Sequence, residues 1–361
     1  MIRLALLAEG EHPKTHQWCE GLAGAGAEIH VLSLRGEPCA SARFYRLQTF
    51  GLQGRSAYLA AVPSVRRLLR QIRPDVVVAY SVTAYGLMGT LSGIHPVVQV
   101  TSGSDVLLAP RTPVIRRVVK FNLQHADLVT AWAPHMAAAA ERLGARREQI
   151  FTLPRGIPFK RFAAVRCRAP VAGDVLRIIS TRFLERLYRV DRVIDAVAIL
   201  HAKGVETRLT IAGDGSEAPL LRHRVRTAGL DHCVRFLGRV RNSHLPQVLA
   251  ENDVYVALAE SDGVSASLLE AMAVGLFPVV HDNLANQAWV RRDINGLLIS
   301  DTRPERLVEA FLTAHRNVSL RASARSANPE LVHARGDLER HSPVYVERFA
   351  ALRSQFEHRF V

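Results

Sequence analysis

Two carboxylates in the second half of the chain are spaced in a way that suits the recognition of hydroxyl groups. Asp262 and Glu270 stand eight residues apart in the segment DGVSASLLEAMAVGLFP, with a glycine and two serines between them. The preceding segment DVYVAL, at 253–258, is a short apolar run that predicts a buried strand. The order is therefore strand, glycine-containing turn and helix N-terminus, where backbone N–H groups and the helix dipole favour an anion.

The two carboxylates indicate what kind of anion this turn would bind. Negative side chains beside a phosphate disfavour a ligand that is only a phosphate, since like charges repel. They suit a ligand that also carries hydroxyl groups, such as those of a sugar and a ribose, which a carboxylate can accept as hydrogen-bond donors. The pattern therefore predicts a nucleotide-sugar site.

Strands and helices alternate along the chain on both sides of this segment. In the first half, strands are predicted at 2–8, 29–34, 76–79, 97–101, 128–131 and 150–153, and helices at 16–25, 57–72, 83–92 and 134–143, with Pro63 as a candidate break within 57–72. In the second half, strands are predicted at 176–180, 208–212, 234–237, 253–258, 277–281 and 296–299, and helices at 190–203, 217–228 and 242–250. This α/β alternation is typical of parallel sheets with helices on both faces.

The length of 361 residues exceeds one ordinary core and predicts two domains. The irregular segment VRCRAPVAGD, at 165–174, contains a proline and a glycine and predicts a linker. We therefore predict a Rossmann-like N-terminal domain over 1–165, a Rossmann-like C-terminal domain over 174–342, and a final helix over 343–361 that packs back on the first domain. Two tandem doubly wound domains would face a cleft at the carboxyl ends of their strands.

The order and spacing of these segments resemble glycosyltransferase family 4, the retaining transferases with the two-Rossmann GT-B fold. The resemblance rests mainly on DGVSASLLEAMAVG followed by FPVVHDNLANQAWVRRDINGLLI, and it covers nearly the whole chain. Other matching segments are ISTRFLERLYRVDRVIDAVAIL, TIAGDG, VRFLGRV, SGSDVLLAP, HADLVTA and LPRGIPFKRF. The resemblance implies metal-independent transfer, without a cofactor, from a nucleotide-diphosphate sugar to a carbohydrate or lipid-linked acceptor of a cell-envelope polysaccharide, glycolipid or related glycoconjugate.

The resemblance also implies roles for residues of the C-terminal domain, which would bind the donor. Asp262, where the family usually has glutamate, would hold the sugar hydroxyls, and Glu270 would hold the ribose. Arg182 would neutralise the leaving phosphate. The other residues that would bind the donor are Gly263, the backbone amides of Ser265, Ala266 and Ser267, and, along the base, Arg239 and Val240.

One position departs from the family pattern, and the first domain adds three residues. The usual lysine five residues after the phosphate-binding arginine is absent, so Arg186 or Arg189 would supply the second cation.

In the N-terminal domain, Gly10 would face the donor phosphates. His16 and Asp105 would contribute to the acceptor site.

The net charge of +14 at pH 7 suits anionic partners. The segments VRRLLRQIR, at 65–73, and IRRVVKF, at 115–121, predict helices with a basic face, which is either simply solvated or contacts an anionic membrane surface. Aromatic residues make up only 6% of the chain and no DNA- or RNA-binding signature is present, so nucleic acid is the weaker interpretation.

The cysteines and the lack of long apolar runs indicate the cellular compartment of the protein. The four cysteines are far apart in the sequence and form no CxxC pair, which predicts free thiols in a reducing environment. The chain has no signal-peptide pattern and no apolar run of about 18 residues. We therefore expect a cytoplasmic protein, at most peripheral at the inner face of the membrane.

Three alternatives remain open at this stage. A non-hydrolysing sugar-nucleotide epimerase would use the same architecture and would need further acids or histidines in the first domain, where Glu9, Glu11 and His12 cluster. A non-catalytic nucleotide-sugar-binding protein would explain the missing lysine and the aspartate at position 262. A basic nucleic-acid-binding protein would explain the charge.

Overall fold

The computed structural model describes residues 1–357, which form two compact units. The first unit comprises Met1–Gly156 and the described chain from Asp337 onward, and the second unit comprises Ile157–Gly336. The segment predicted as a linker, 165–174, lies inside the second unit. It is tied there because the Cys167 amide donates to the Val274 carbonyl at 2.9 Å and Arg325 Nε donates to the Cys167 carbonyl at 2.9 Å.

The first unit is built on a seven-stranded parallel sheet. Its strands are β1 (Ile2–Leu7), β2 (Ala27–Ser33), β3 (Arg43–Arg46), β4 (Val76–Tyr80), β5 (Val97–Val100), β6 (Leu128–Ala131) and β7 (Ile150–Thr152), in the order β3-β2-β1-β4-β5-β6-β7. Its helices within residues 1–156 are α1 (Pro13–Gly24), α2 (Ser56–Ala60), α3 (Val62–Ile72), α4 (Ala84–Ser92), α5 (Ser104–Leu107), α6 (Pro113–Gln124) and α7 (Pro134–Arg142).

The second unit is built on a six-stranded parallel sheet. Its strands are β8 (Leu176–Ser180), β9 (Thr207–Ile211), β10 (Val234–Phe236), β11 (Val254–Ala257), β12 (Phe277–His281) and β13 (Leu297–Ile299), in the order β10-β9-β8-β11-β12-β13. Its helices are α8 (Phe159–Ala163), α9 (Val190–Ala202), α10 (Ala218–Thr227), α11 (Leu245–Ala250), α12 (Ala266–Val274), α13 (Leu284–Gln287), α14 (Pro304–Arg316) and α15 (Val318–Gly336).

These sheets confirm the predicted doubly wound α/β fold. Strands such as β4 (VVVAY) and β11 (VYVA) are buried along their whole length, as expected where helices cover both faces of a parallel sheet. The segment predicted as helical over 57–72 is interrupted two residues before the candidate break at Pro63, and it forms two helices, α2 and α3, which meet at Ala61. Pro63 lies in the first turn of α3, where its missing N–H costs no intrahelical hydrogen bond.

The last described helix, α16 (Leu338–Glu357), belongs to the first unit and begins five residues before the predicted start at 343. Tyr345 on this helix is fully buried, and its ring lies edge-on to Trp18 of α1 at 5.7 Å between centroids. The two helices approach closely at Gly21, where a Cβ atom would lie 2.4 Å from Ser342 Oγ. The helix α16 therefore completes the apolar core of this unit.

The sheet order of the second unit determines where its chemistry-bearing loops meet. The strand β8 lies between β9 and β11, so the chain leaves β8 towards one side of the sheet and returns to its other side through β11. In open parallel sheets, this change of direction opens a crevice at the carboxyl ends of the two neighbouring strands. Arg182 follows β8 and Asp262 follows β11 at this point.

Candidate active site

Arg182 is the centre of a hydrogen-bonded cluster in the second unit. Its Nη1 donates to Ser265 Oγ at 2.7 Å and to Ser267 Oγ at 2.9 Å, and its Nη2 donates to Asp262 Oδ2 at 2.9 Å. The side chains of Arg182 and Asp262 are only 11% and 21% exposed. The structure thus brings together four residues that the sequence analysis assigned to donor binding.

Two tyrosines support this cluster. The guanidinium carbon of Arg182 lies 4.4 Å from the centroid of the Tyr188 ring, and Tyr255 Oη lies 2.8 Å from Ser267 Oγ. Burial opposes the charge of Arg182, but Asp262 and the two tyrosines outweigh burial and raise the arginine pKa above its ordinary value. The guanidinium is therefore a fixed positive charge with a defined orientation.

The N-terminus of α12 supplies backbone donors beside this charge. Ser265 is the N-cap, and its Oγ accepts from the Leu268 amide at 3.4 Å. The first amides of an α-helix lack intrahelical partners, which leaves the N–H groups of Ala266 and Ser267 available to an anion. The Gly263 amide donates to Asp262 Oδ1 at 2.9 Å, which fixes the turn before the helix.

Glu270 lies one turn further along α12, three residues after Ser267. The helix is buried from Leu268 to Val274, and Glu270 is only 9% exposed. A carboxylate in such surroundings is costly unless other groups compensate its charge. Residues three apart on an α-helix are neighbours on one face, so Glu270 and Ser267 lie on the same side of α12.

The turn GDG after β9 holds the loop that carries Arg182. A Cβ atom at Gly213 would lie 2.1 Å from the Arg182 carbonyl oxygen, and one at Gly215 would lie 2.5 Å from the Leu184 carbonyl oxygen. The Leu184 amide donates to the Asp214 carbonyl at 3.0 Å. Glycine is therefore required at both positions by the close approach of two backbones, and the turn positions Arg182.

The two candidates for a second cation differ in their surroundings. Arg186 is exposed. Arg189 has a left-handed backbone with φ of 52°, its Nη1 donates to Thr302 Oγ1 at 2.7 Å, and its Nη2 pairs with Glu260. Arg186 is the freer of the two, because Arg189 is already held by two acceptors of the second unit.

The segment that the sequence analysis placed along the base follows β10. All strands of this sheet are parallel, so the loop after β10 lies at the same edge of the sheet as Arg182. Gly238 has a φ of 64° and turns the chain there, Arg239 is exposed and Val240 is half-buried. The strand β9 separates β10 from β8, so this loop lies to one side of the Arg182 cluster.

In the first unit, Gly10 lies in the turn after β1, and His16 near the start of α1 contacts it. The Gly10 amide donates to Ser33 Oγ at 2.9 Å, and His16 Nε2 is 2.6 Å from the Gly10 carbonyl oxygen. A Cβ atom at position 10 would lie 2.6 Å from the Arg35 carbonyl oxygen, so only glycine fits. In the same turn, burial and then the neighbouring Glu11 raise the pKa of Glu9.

Asp105 has a different role from the acceptor contact that the sequence analysis assigned to it. It is 4% exposed, and its carboxylate accepts hydrogen bonds from the backbone amides of Val82, Ser102 and Gly103 at 2.9 to 3.1 Å. These amides belong to the loops after β4 and β5. The carboxylate is thus engaged inside the fold and positions both loops, although burial raises its pKa.

The sequence analysis missed several residues that shape the site. Tyr188 and Tyr255 carry no motif, and only their proximity to Arg182 and Ser267 reveals their role. Among residues 1–357, no group of three or more His, Cys, Asp or Glu side chains is arranged to hold a metal ion. No helix in this part of the chain has the length and apolar composition to cross a membrane.

Comparisons with known proteins show which families the chain resembles. A family model described as "Glycosyl transferases group 1" matches residues 170–330, and one described as "Glycosyl transferase 4-like" matches residues 3–132. N-acetyl-alpha-D-glucosaminyl L-malate synthase of Bacillus anthracis is 23% identical over 55% of this chain and 53% of the relative. A GDP-mannose-dependent alpha-(1-6)-phosphatidylinositol dimannoside mannosyltransferase of Mycobacterium tuberculosis is 27% identical over 71% of this chain and 69% of the relative.

Solved structures share the fold over nearly the whole chain. Sucrose-phosphate synthase from Thermosynechococcus elongatus superposes with a TM-score of 0.83 at 17% identity, covering 97% of this chain and 100% of that one. Anabaena HepE in complex with UDP-glucose superposes with a TM-score of 0.80 at 15% identity and the same coverage. The chain spans about half the length of the Bacillus anthracis relative. The two family models together match most of this chain. The protein therefore belongs to the family-4-like glycosyltransferases and has their GT-B fold.

Proposed function

We propose that this glycosyltransferase is a retaining enzyme that transfers a hexose from a nucleotide-diphosphate sugar without a metal or cofactor. The observation that supports this most strongly is the cluster of Arg182, Asp262, Ser265 and Ser267 at the N-terminus of α12, next to Glu270. It combines a fixed cation, helix amides and two carboxylates within a few residues, which matches a ligand that carries both phosphates and hydroxyl groups.

Each part of the cluster has a role in this proposal. The diphosphate would accept hydrogen bonds from Arg182 and from the first amides of α12. Asp262 and Glu270 would accept hydrogen bonds from the sugar and ribose hydroxyls. Arg186 would add a second positive charge, and Arg239 and Val240 would lie along the base. In the first unit, Gly10 would approach the phosphates and His16 the acceptor.

The proposed reaction replaces the bond between the anomeric carbon and the phosphate oxygen by a bond to an acceptor hydroxyl on the same face. The nucleoside diphosphate leaves with the bonding electrons, and its departing oxygen takes the proton of the acceptor hydroxyl. Negative charge therefore grows where Arg182 and the α12 amides point. One preorganised donor of this kind typically contributes about 3 kcal/mol to the stabilisation of a transition state.

The activities for which the relatives are named suggest the classes of donor and acceptor. They include a GDP-mannose-dependent transferase that acts on a phosphatidylinositol dimannoside, and a putative glycosyltransferase of colanic acid biosynthesis from Escherichia coli, 26% identical over 73% of this chain and 66% of the relative. We extend these classes to this chain as a proposal: the acceptor is part of an envelope polysaccharide, a glycolipid or a related glycoconjugate.

The helix α3 has a basic face, and this face supports a proposal about contact with a membrane. Arg66, Arg67 and Arg70 are exposed on one face, while Leu68 and Leu69 are buried on the other. We propose that this face contacts the anionic inner surface of the membrane, and that the enzyme works in the cytoplasm. Sedimentation with phosphatidylglycerol vesicles tests the contact, and binding that survives the variant Arg67→Glu/Arg70→Glu would refute it.

The donor is identified by thermal-shift measurements against UDP-glucose, UDP-N-acetylglucosamine, GDP-mannose and the free nucleoside diphosphates. A ligand that binds the folded protein raises its melting temperature, and the rise grows with the logarithm of the ligand concentration relative to its Kd. Proton NMR of the anomeric signal in the product then shows the stereochemistry, for which we expect retention.

Three results would contradict the proposal in different ways. Inversion at the anomeric carbon would refute the retaining reaction. Conversion of the sugar nucleotide without an acceptor would indicate an epimerase. Binding of a nucleotide sugar without turnover over a broad acceptor panel would indicate a binding protein.

A further inference from the structure

The second unit contains a concavity of about 1230 Å³ that is separate from the candidate active site. It is lined by Arg177 near the start of β8, by Arg208 near the start of β9 and by the strand β10. Arg182 and Asp262, in contrast, follow the carboxyl ends of β8 and β11. None of the cluster residues around Arg182 lines this concavity.

The lining of the concavity is strongly basic. Seven of its twenty lining residues are arginines and two are acids, whereas Lys and Arg together make up 47 of the 361 residues of the chain. The high net charge of the protein therefore does not by itself explain this local concentration. We call the concavity the arginine basin and define it by Arg208, Arg222, Arg226 and Arg235.

The arginines of the basin are not neutralised by protein carboxylates. Arg168 and Arg177, at one margin, pair with Asp174 at 3.4 and 3.0 Å. Within the described part of the chain, the four basin arginines form no ion pair within 4.0 Å, and the two acids of the lining, Asp231 and Glu251, form none either. Like charges gathered in one concavity repel one another and raise the local concentration of anions.

The shape and the floor of the basin indicate what kind of anion fits. The guanidinium carbon of Arg222 lies 4.6 Å from the centroid of the Phe236 ring, which holds its planar group in a fixed orientation. Leu209 and Val225 add an apolar floor. A guanidinium group matches the oxygen spacing of phosphate with two parallel hydrogen bonds, and several such groups around a concavity suit several phosphates.

We propose that the arginine basin binds a ligand with two or more phosphate groups, at a site distinct from the donor site. Such a ligand is either a small soluble polyphosphate or the phosphorylated headgroup of a lipid, and both present the same chemistry to the guanidinium groups. The inference does not depend on the proposed donor site, because the two sites share no residue.

The test uses the full chain and inorganic tripolyphosphate as the probe. Isothermal titration at physiological salt should show saturable binding. The affinity should fall by about ten-fold or more for each arginine removed, since a hydrogen bond to a charged group is worth about 1.5 to 3 kcal/mol. The basin variant is Arg222→Gln/Arg226→Gln/Arg235→Gln. The matched control, Arg142→Gln/Arg146→Gln/Arg147→Gln at and just after the end of α7, removes the same number of exposed arginines from the first unit.

Two further measurements locate the binding site and distinguish a soluble ligand from a lipid. Binding should persist in the variant Arg182→Ala, and the basin variant should keep its melting temperature and its turnover of the nucleotide sugar. Vesicles that contain phosphatidylinositol 4-phosphate, compared with neutral phosphatidylcholine vesicles, distinguish a lipid headgroup from a soluble ligand.

The proposal is supported if either phosphate probe is bound and the basin variant loses that binding while the α7 control keeps it. It is overturned if the basin variant binds both probes like the wild type, if the two triple variants lose binding equally, or if neither probe is bound. If Arg182→Ala loses tripolyphosphate binding and the basin variant keeps it, the ligand occupies the donor site and the proposal is overturned.

Discussion

Replacing Gly213 with alanine is expected to disable the candidate active site by displacing the loop that carries Arg182. The new Cβ atom would lie 2.1 Å from the Arg182 carbonyl oxygen and 3.1 Å from its carbonyl carbon. Non-bonded carbon and oxygen atoms approach to about 3.3 Å, so the two backbones must separate by roughly 1 Å. The loop cannot simply swing away, because Leu184 exchanges hydrogen bonds with Asp214 and Glu217 on the other side.

The size of the effect follows from this displacement. A shift of about 1 Å in a group that positions a reacting atom can reduce kcat/KM by about 100-fold. The overpacking should also lower the free energy of unfolding by about 1 to 3 kcal/mol, which leaves the protein folded at room temperature. The assay is release of nucleoside diphosphate from the donor found by thermal shift, together with the melting temperature of each variant.

A matched control and a double variant make the test specific. Gly24→Ala places a Cβ atom in open space, with no atom within 4 Å, and should leave kcat/KM unchanged. If Gly213→Ala acts through Arg182, then adding it to Arg182→Ala should cost little further activity, since the two changes are coupled. Unchanged kinetics in Gly213→Ala, or a full additional loss in the double variant, would refute the role of the GDG turn.

Three further predictions concern the charge of Arg182 and the cysteines. Arg182→Ala should lower kcat by about 100-fold and weaken donor binding less, measured by steady-state kinetics and calorimetry, because its main partner is the charge of the departing phosphate; loss confined to affinity would speak against this. Tyr188→Leu should lower kcat/KM by about 2-fold to 30-fold and Tyr188→Phe should restore it, as expected for a ring that stacks on a cation. A side-chain hydrogen bond from Cys19 lowers the pKa of Cys39 to about 6, so alkylation of Cys39 by iodoacetamide should rise with pH, reach half its maximal rate near pH 6 and level off about two pH units higher. Buried Cys19, whose pKa is raised, should stay unmodified by mass spectrometry, and equal labelling of both would contradict this pairing.

The sequence was sufficient to predict the two parallel sheets, because apolar strands and amphipathic helices alternate with few irregular interruptions. The edge strand β3 was missed, since its residues RFYR are charged or only partly buried and lack the apolar run on which strand prediction depends. The helices α13, α14 and α15 were missed as well. In α15, Pro329 lies inside the helix and breaks the pattern that would have indicated one continuous element.

The proximity of the residues proposed to bind the donor was predictable to the extent that these residues belong to a contiguous motif. Asp262, Ser265, Ser267 and Glu270 lie on one turn and one helix, so the spacing alone places them together. The residues that position this cluster come from segments that are distant in the sequence and approach one another only in the folded chain. Gly213 illustrates this, because nothing in the GDG sequence says which backbone lies 2.1 Å from its missing side chain.

Asp105 shows a role that the sequence could not predict. A carboxylate after SGS is compatible with ligand binding and with capping of a turn, and the two roles have the same sequence signature. The fold decides between them, since three backbone amides from two loops converge on this side chain. The domain boundary had a similar ambiguity: the irregular segment at 165–174 has the composition of a linker but is hydrogen-bonded to the second unit.

The assignment of the donor site is tested most directly by the turnover of Glu270→Ala. This carboxylate lies at the centre of the buried helix α12, and it belongs to the site only if it holds a donor hydroxyl. With the folded state checked by circular dichroism and melting temperature, release of nucleoside diphosphate should fall by about 100-fold or more. Wild-type turnover in this variant would contradict the placement of the nucleotide sugar at the N-terminus of α12.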